Sequence, residues 1–82
     1  MAKRLTLVEL RRILRSYGVE EDPSRGKGSH TCFMKQFEDG RFTYPVPVHG
    51  KDVLDCYVKG CRKKFRLMPD HGVSDDEFFG RA

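Results

Sequence analysis

The chain has no long apolar run: nothing in its 82 residues approaches the roughly 20-residue span that a bilayer requires, so no membrane segment is expected. Cysteine is scarce, three residues in all and an odd number, which excludes a fully paired disulfide framework and suits reduced thiols in a cytosolic protein. There is no Cys-x-x-Cys pair. Cys56 and Cys61 are five apart, roughly 140° around a helix axis, and do not easily share an ion. His30 and Cys32 fall on one face of a strand, but two ligands make no structural zinc site, so no metal is expected. Internal repeats and low-complexity tracts are also missing. Length itself is short. A chain of this size buries only about 60 to 65% of its unfolded surface, enough for one layer over another, which rules out a two-domain enzyme with an interdomain cleft.

What is present is charge, unevenly spread. Residues 1–68 carry 15 Lys+Arg against 8 Asp+Glu, a net of +7, whereas residues 69–82 hold Asp70, Asp75, Asp76 and Glu77 against Arg81. Two segments follow: a basic domain over 1–68 and an acidic C-terminal tail over 69–82. The basic part is the footprint of a surface that attracts phosphate, and a polyanion is the first partner to consider. Nine aromatics (6 Phe and 3 Tyr) beside 34% charged residues fit a folded domain rather than a disordered one.

Thr6-Leu7-Val8-Glu9 has the form of a capping box and starts a helix over 6–17. At about 100° per residue, Leu7, Leu10, Ile13, Leu14 and Tyr17 share one arc, and Arg11, Arg12 and Arg15 a neighbouring one. Gly18 is placed to end it. Val19 to Pro23 makes at best a weak edge strand. A basic, glycine-rich loop, Ser24 to Gly28, leads into a strand from Ser29 to Phe37. Asp39-Gly40 supplies a hairpin dipeptide, and Arg41 to Val48 returns with Phe42, Tyr44, Val46 and Val48 on one face. Pro45 and Pro47 have the other parity and give that strand an open edge. Asp52 is a plausible N-cap for a second helix whose Val53, Leu54, Tyr57, Val58, Cys61 and Phe65 face the core, with Lys59, Arg62, Lys63 and Arg66 on the far side. Ser74 to Glu77 opens one short helix bearing Phe78 and Phe79, a tail expected to dock weakly. The order helix-strand-strand-strand-helix predicts an α+β fold: a three-stranded antiparallel sheet with both helices on one face and the other face open.

The sharpest local feature is Gly26-Lys27-Gly28-Ser29-His30 entering a strand. If Phe33 and Phe37 are core, alternation puts His30 on the open face, together with Cys32 and Met34. An imidazole takes or gives a proton near neutral pH, and glycines let backbone amides approach a phosphate. This suits cleavage of RNA by its own 2′-hydroxyl, with His30 as general base or acid and Lys27 and Ser29 stabilising charge on phosphoryl oxygens; the scheme needs no cofactor. Arg25 and Lys51 flank the place as phosphate contacts. His49 is either a second acid/base group or a turn residue, and His71 is a solvated tail residue. From spacing alone, His30 is equally an exposed strand histidine after a flexible loop. Cys32 and Met34 are either covered by a partner or turned into the core by a bulge.

The run Lys27-Gly28-Ser29-His30 with Phe33, then Asp39-Gly40, Pro45-Val46-Pro47-Val48-His49-Gly50-Lys51 and a helix, resembles the HicA (YcfA-like) toxins over about Leu5 to Phe65. The resemblance implies a fold like that of double-stranded-RNA-binding domains. It also implies a cytoplasmic mRNA interferase of a toxin-antitoxin system, neutralised by a HicB-type antitoxin, with His30 catalytic and Gly28 and Ser29 in its motif. Unlike that family's usual chains, this one continues beyond the second helix. A non-catalytic RNA-binding module and a protein-interaction domain are the other readings.

Overall fold

The computed structural model describes residues 5–22, 30–48 and 50–82. In chain order these form β1 (Leu5–Thr6), α1 (Leu7–Ser16), β2 (Glu20–Asp22), β3 (His30–Phe37), β4 (Gly40–Pro47), β5 (Asp52–Val53), α2 (Asp55–Lys64), a 3₁₀ turn at Pro69–His71 and α3 (Asp75–Phe79). Strands β2, β3 and β4 make an antiparallel sheet with β3 in the middle, and β1 pairs antiparallel with β5 in a separate two-stranded ribbon. The fold is α+β with a three-stranded antiparallel sheet, as expected; the ribbon was not expected.

Both ends of α1 form as the sequence predicts. The Thr6 hydroxyl accepts the Glu9 N–H at 3.1 Å and the Glu9 carboxylate accepts the Thr6 N–H at 3.0 Å, a complete capping box. At the other end the Gly18 N–H donates to the Arg15 carbonyl and the Val19 N–H to the Leu14 carbonyl, with Gly18 at φ +82°. The ε-ammonium of Lys35 adds a 2.7 Å bond to the Tyr17 carbonyl, a cation where the helix dipole favours one.

The β3–β4 register is unbroken from His30 opposite Pro47 to Phe37 opposite Gly40. The hairpin loop is therefore Glu38-Asp39 rather than Asp39-Gly40. Gly40 opens the return strand at φ +141°, and Asp39 is taken up by an ion pair with Arg66. Residues directly opposite share a face, so Thr31, Phe33, Lys35 and Phe37 line up with Phe42, Tyr44 and Val46. This face meets the helices. Phe33 and Val46 join Leu10, Ile13, Leu14, Val58, Cys61 and Phe65 in one buried cluster. At α2 the approach is so close that a Cβ on Gly60 would lie 2.0 Å from the Tyr44 hydroxyl. Burial raises the Tyr44 phenol above its ordinary pKa and pushes the Cys61 thiol up to about 12.

Three expectations for the second helix need correcting. Asp52 is not its N-cap: Asp52-Val53 pairs with Thr6 and Leu5, and the helix starts three residues later at Asp55. Leu54, at the helix boundary, is 62% exposed rather than core. Arg62 is buried instead of solvated. Its guanidinium donates to the Leu67 carbonyl at 2.9 Å and the Val73 carbonyl at 3.3 Å, pairs with Asp75 at 2.8 Å, and stands 4.6 Å from the Phe78 ring centroid. Nor does the tail dock weakly. Phe78 is 0% exposed, Val73 is buried with it, and both belong to the same core as the residues before 68.

Two outcomes follow from this packing. Phe78→Ala should cost about 3–5 kcal/mol in urea unfolding, a large share of the stability of so small a domain, because it empties a core site and uncovers Arg62. Gly60→Ala should cost about 1–3 kcal/mol, since the Tyr44 ring has to shift; replacing Tyr44 with Phe, which removes the nearest atom, should recover part of the loss in the same assay.

Candidate functional site

Of the predicted site residues, His30 and Lys51 lie among those described, whereas Arg25, Lys27, Gly28, Ser29 and His49 fall outside them. His30 is the first residue of β3, exposed, and opposite Pro47 at the end of β4. Its face is the one opposite the helices: Phe33 packs in the core, and His30, three positions away, has the other parity. Cys32 and Met34 share that face. Continuous registers on both sides of β3 leave no bulge, so the parity-shift reading is corrected. Cys32 is nevertheless 9% exposed and Met34 half-buried. Among the described residues no hydrogen-bond partner holds the His30 imidazole, and no three His, Cys, Asp or Glu side chains converge as a metal set.

The three carboxylates of β2, close in sequence to the basic segment before His30, divide between the two faces of the sheet. Asp22 lies opposite Cys32 and Glu20 opposite Met34, so these two carboxylates share the open face with His30. Glu21, between them, points the other way. Its carboxylate takes both the Nε and an Nη of Arg11 and accepts the Thr31 hydroxyl at 2.6 Å. This cluster ties α1, β2 and β3 together directly beside His30. The Arg11 hydrogen bonds hold the Glu21 carboxyl below its ordinary pKa, against the opposing effect of its burial, and the Arg11 guanidinium is raised in turn. Alternation in Glu20-Glu21-Asp22 is the signal by which the split could have been found, once the strand was believed.

Lys51 keeps its side chain exposed while its carbonyl accepts the Leu7 N–H at 2.9 Å, fixing the start of α1. It lies four residues beyond Pro47, immediately before β5 of the ribbon. Pro45 and Pro47 offer no donors, which leaves the outer side of β4 a poor template for an added strand. Among the described residues, no helix is long and apolar enough to cross a membrane.

Because the Glu21 carboxyl is depressed in the folded protein, its contribution to stability is present above the unfolded value near 4.5 and is lost as pH falls through the lower folded value. Glu21→Gln should therefore be less stable than the parent at pH 7, with the deficit shrinking steadily below about pH 4.5, as read from urea midpoints across that range. Comparison of the chain with protein-family models, with curated proteins and with solved structures gives no match in any of the three.

Proposed function

We propose that the chain is a metal-independent endoribonuclease of the HicA mRNA-interferase kind, with the helix-strand-strand-strand-helix arrangement of a double-stranded-RNA-binding domain. The observation that carries this reading is His30, exposed at the first residue of β3 on the helix-free face of the sheet, directly after a basic glycine-rich segment. A ribose 2′-hydroxyl placed there attacks the adjacent phosphorus as it gives up its proton. The bond to the 5′-oxygen breaks, leaving a 2′,3′-cyclic phosphate and a 5′-hydroxyl that takes a proton. His30 accepts the first proton or donates the second. Lys27 and Ser29 stabilise the charge developing on the non-bridging oxygens, and Arg25 and Lys51 hold flanking phosphates. A HicB-type antitoxin neutralises the toxin by covering the face that carries His30, Cys32 and Met34, where apolar side chains gain from a partner.

A second reading is favoured by one observation: Glu20 and Asp22 share the face of His30 and oppose a phosphate there. On that reading the chain binds RNA without cutting it. The two separate in a single experiment, cleavage of a long unstructured RNA in the presence of a metal chelator. The parent should cut the RNA and His30→Ala should lose about 100-fold or more of the rate while still binding it. The matching DNA, which lacks the 2′-hydroxyl, should stay intact. Intact RNA with both proteins, under conditions where each binds it, would reject the nuclease reading.

A further inference from the structure

The exposed side of α1 carries a charge pattern that neither the core nor the His30 face uses. Val8, Arg12 and Arg15 fall within about 60° of one another around the helix axis, directly away from the buried Leu10, Ile13 and Leu14. With Arg11 and Ser16 they line a surface groove of about 410 Å³. Val8, 56% exposed, gives this groove an apolar wall. Pairing divides the arginines. Arg11, Arg62, Arg66 and Arg81 each meet a carboxylate, on Glu21, Asp75, Asp39 and Glu77 respectively. Among the described residues Arg12, Arg15 and, on the His30 face of β4, Arg41 meet none; Arg12 and Arg15 alone of these are neighbours, and as like charges three apart on one helix they repel. Glu21 is hydrogen-bonded to Arg11 and feels the charge of Arg15 only as a lesser influence.

We propose that this α1 stripe is a track for the phosphodiester backbone of RNA, separate from the His30 site. This rests on RNA being the partner, and not on His30 being catalytic. Two unpaired guanidinium groups on a helix fixed at both ends, beside one exposed apolar side chain, match a chain of phosphates joined by sugars better than a single small anion. The position is also right for a substrate. α1 lies against β2 through Arg11 and Glu21, and β2 is an edge of the sheet. A strand leaving the groove has to pass only that edge, about one strand width, to reach the open face.

The test is salt-dependent binding of a 2′-O-methyl uridine 20-mer, which keeps the backbone and cannot be cut through its 2′-oxygen. In Arg12→Gln/Arg15→Gln the slope of log Kd against log salt should fall by about 1 to 1.5, since two phosphate contacts on a single strand are lost at about 0.7 each. Arg12→Lys/Arg15→Lys should keep the parent slope, which excludes unfolding of the helix as the cause. His30→Ala should also keep it. An unchanged slope in the Gln variant overturns the track, as does a variant that loses binding to phosphatidylserine vesicles while holding RNA as the parent does. If the slope falls as stated but RNA is left uncut, the cleavage reading fails and the track stands; if RNA is cut through His30 and the slope does not move, the reverse is true.

Discussion

A three-stranded sheet in a chain of 82 residues can be covered on one face, because there is apolar side chain enough for one buried layer and no more. Everything else in the molecule is arranged around that constraint. Phe33, Tyr44 and Val46 take the covered face, so alternation delivers His30, Cys32 and Met34 to the other. Glu21 is the exception, a carboxylate on the covered face, and it is admitted because Arg11 and Thr31 satisfy its oxygens there. The same three residues fix the angle between α1 and the strand that begins at His30. A candidate site at the end of β3 is thereby held by packing on the far side of the sheet.

Arg62 answers a related problem, the closing of the core at its lower end. A buried guanidinium is costly unless its donors are used. Here two backbone carbonyls, one carboxylate and the faces of Phe78 and Phe79 surround it. The carbonyls belong to Leu67 and Val73, so the cation binds the chain leaving α2 to the segment leading into α3. Phe78 then stacks against Tyr17 at 6.3 Å, while the Arg81 guanidinium lies over the Tyr17 ring at 4.2 Å. The acidic tail is in this way joined to the basic part by its aromatics and by one buried cation more than by surface ion pairs, which contribute little when exposed.

How much of this the sequence shows depends on whether a single residue type carries the signal. Both helices end in the same pair of backbone bonds. In α1 the left-handed position is Gly18 and is readable at once; in α2 it is Arg66, at φ +60°, with the Leu67 N–H on the Arg62 carbonyl at 2.7 Å. An arginine there gives no local sign. It is tolerated because its side chain lies over Phe37 and Phe42 and meets Asp39, contacts across 27 residues of sequence. Asp52 failed for the opposite reason: its local signal was good, and pairing with β1 across 46 residues won. The face of His30 was legible because period 2 needs only a few anchored residues. The burial of Arg62 was not, since helical spacing put it beside Lys59 and Lys63, and what buries it is a segment beyond the helix. The remaining loop of the candidate site, with Lys27, Gly28 and Ser29, rests on its sequence.

Ion pairing leaves the formal charge of +4 unchanged, because each paired carboxylate is already counted in it, but it decides where on the surface that charge acts. Arg11, Arg62, Arg66 and Arg81 are each bound to a carboxylate, and a paired charge acts as a dipole whose field falls quickly with distance. Lys35 is turned inward on the Tyr17 carbonyl. Beyond a Debye length of about 8 Å, attraction is governed by the cations left without a local partner. On the described surface those include Arg12 and Arg15 on α1, both on the covered side of the sheet, while the face of His30 carries Arg41 together with Glu20 and Asp22. The α1 stripe and His30 thus fall on different faces. If the chain binds RNA as proposed, a backbone held on α1 reaches His30 by bending round β2. On that proposal the α1 arginines contribute to binding strength without touching the reacting phosphate, so their substitution lowers affinity more than it lowers the rate of cleavage once RNA is bound.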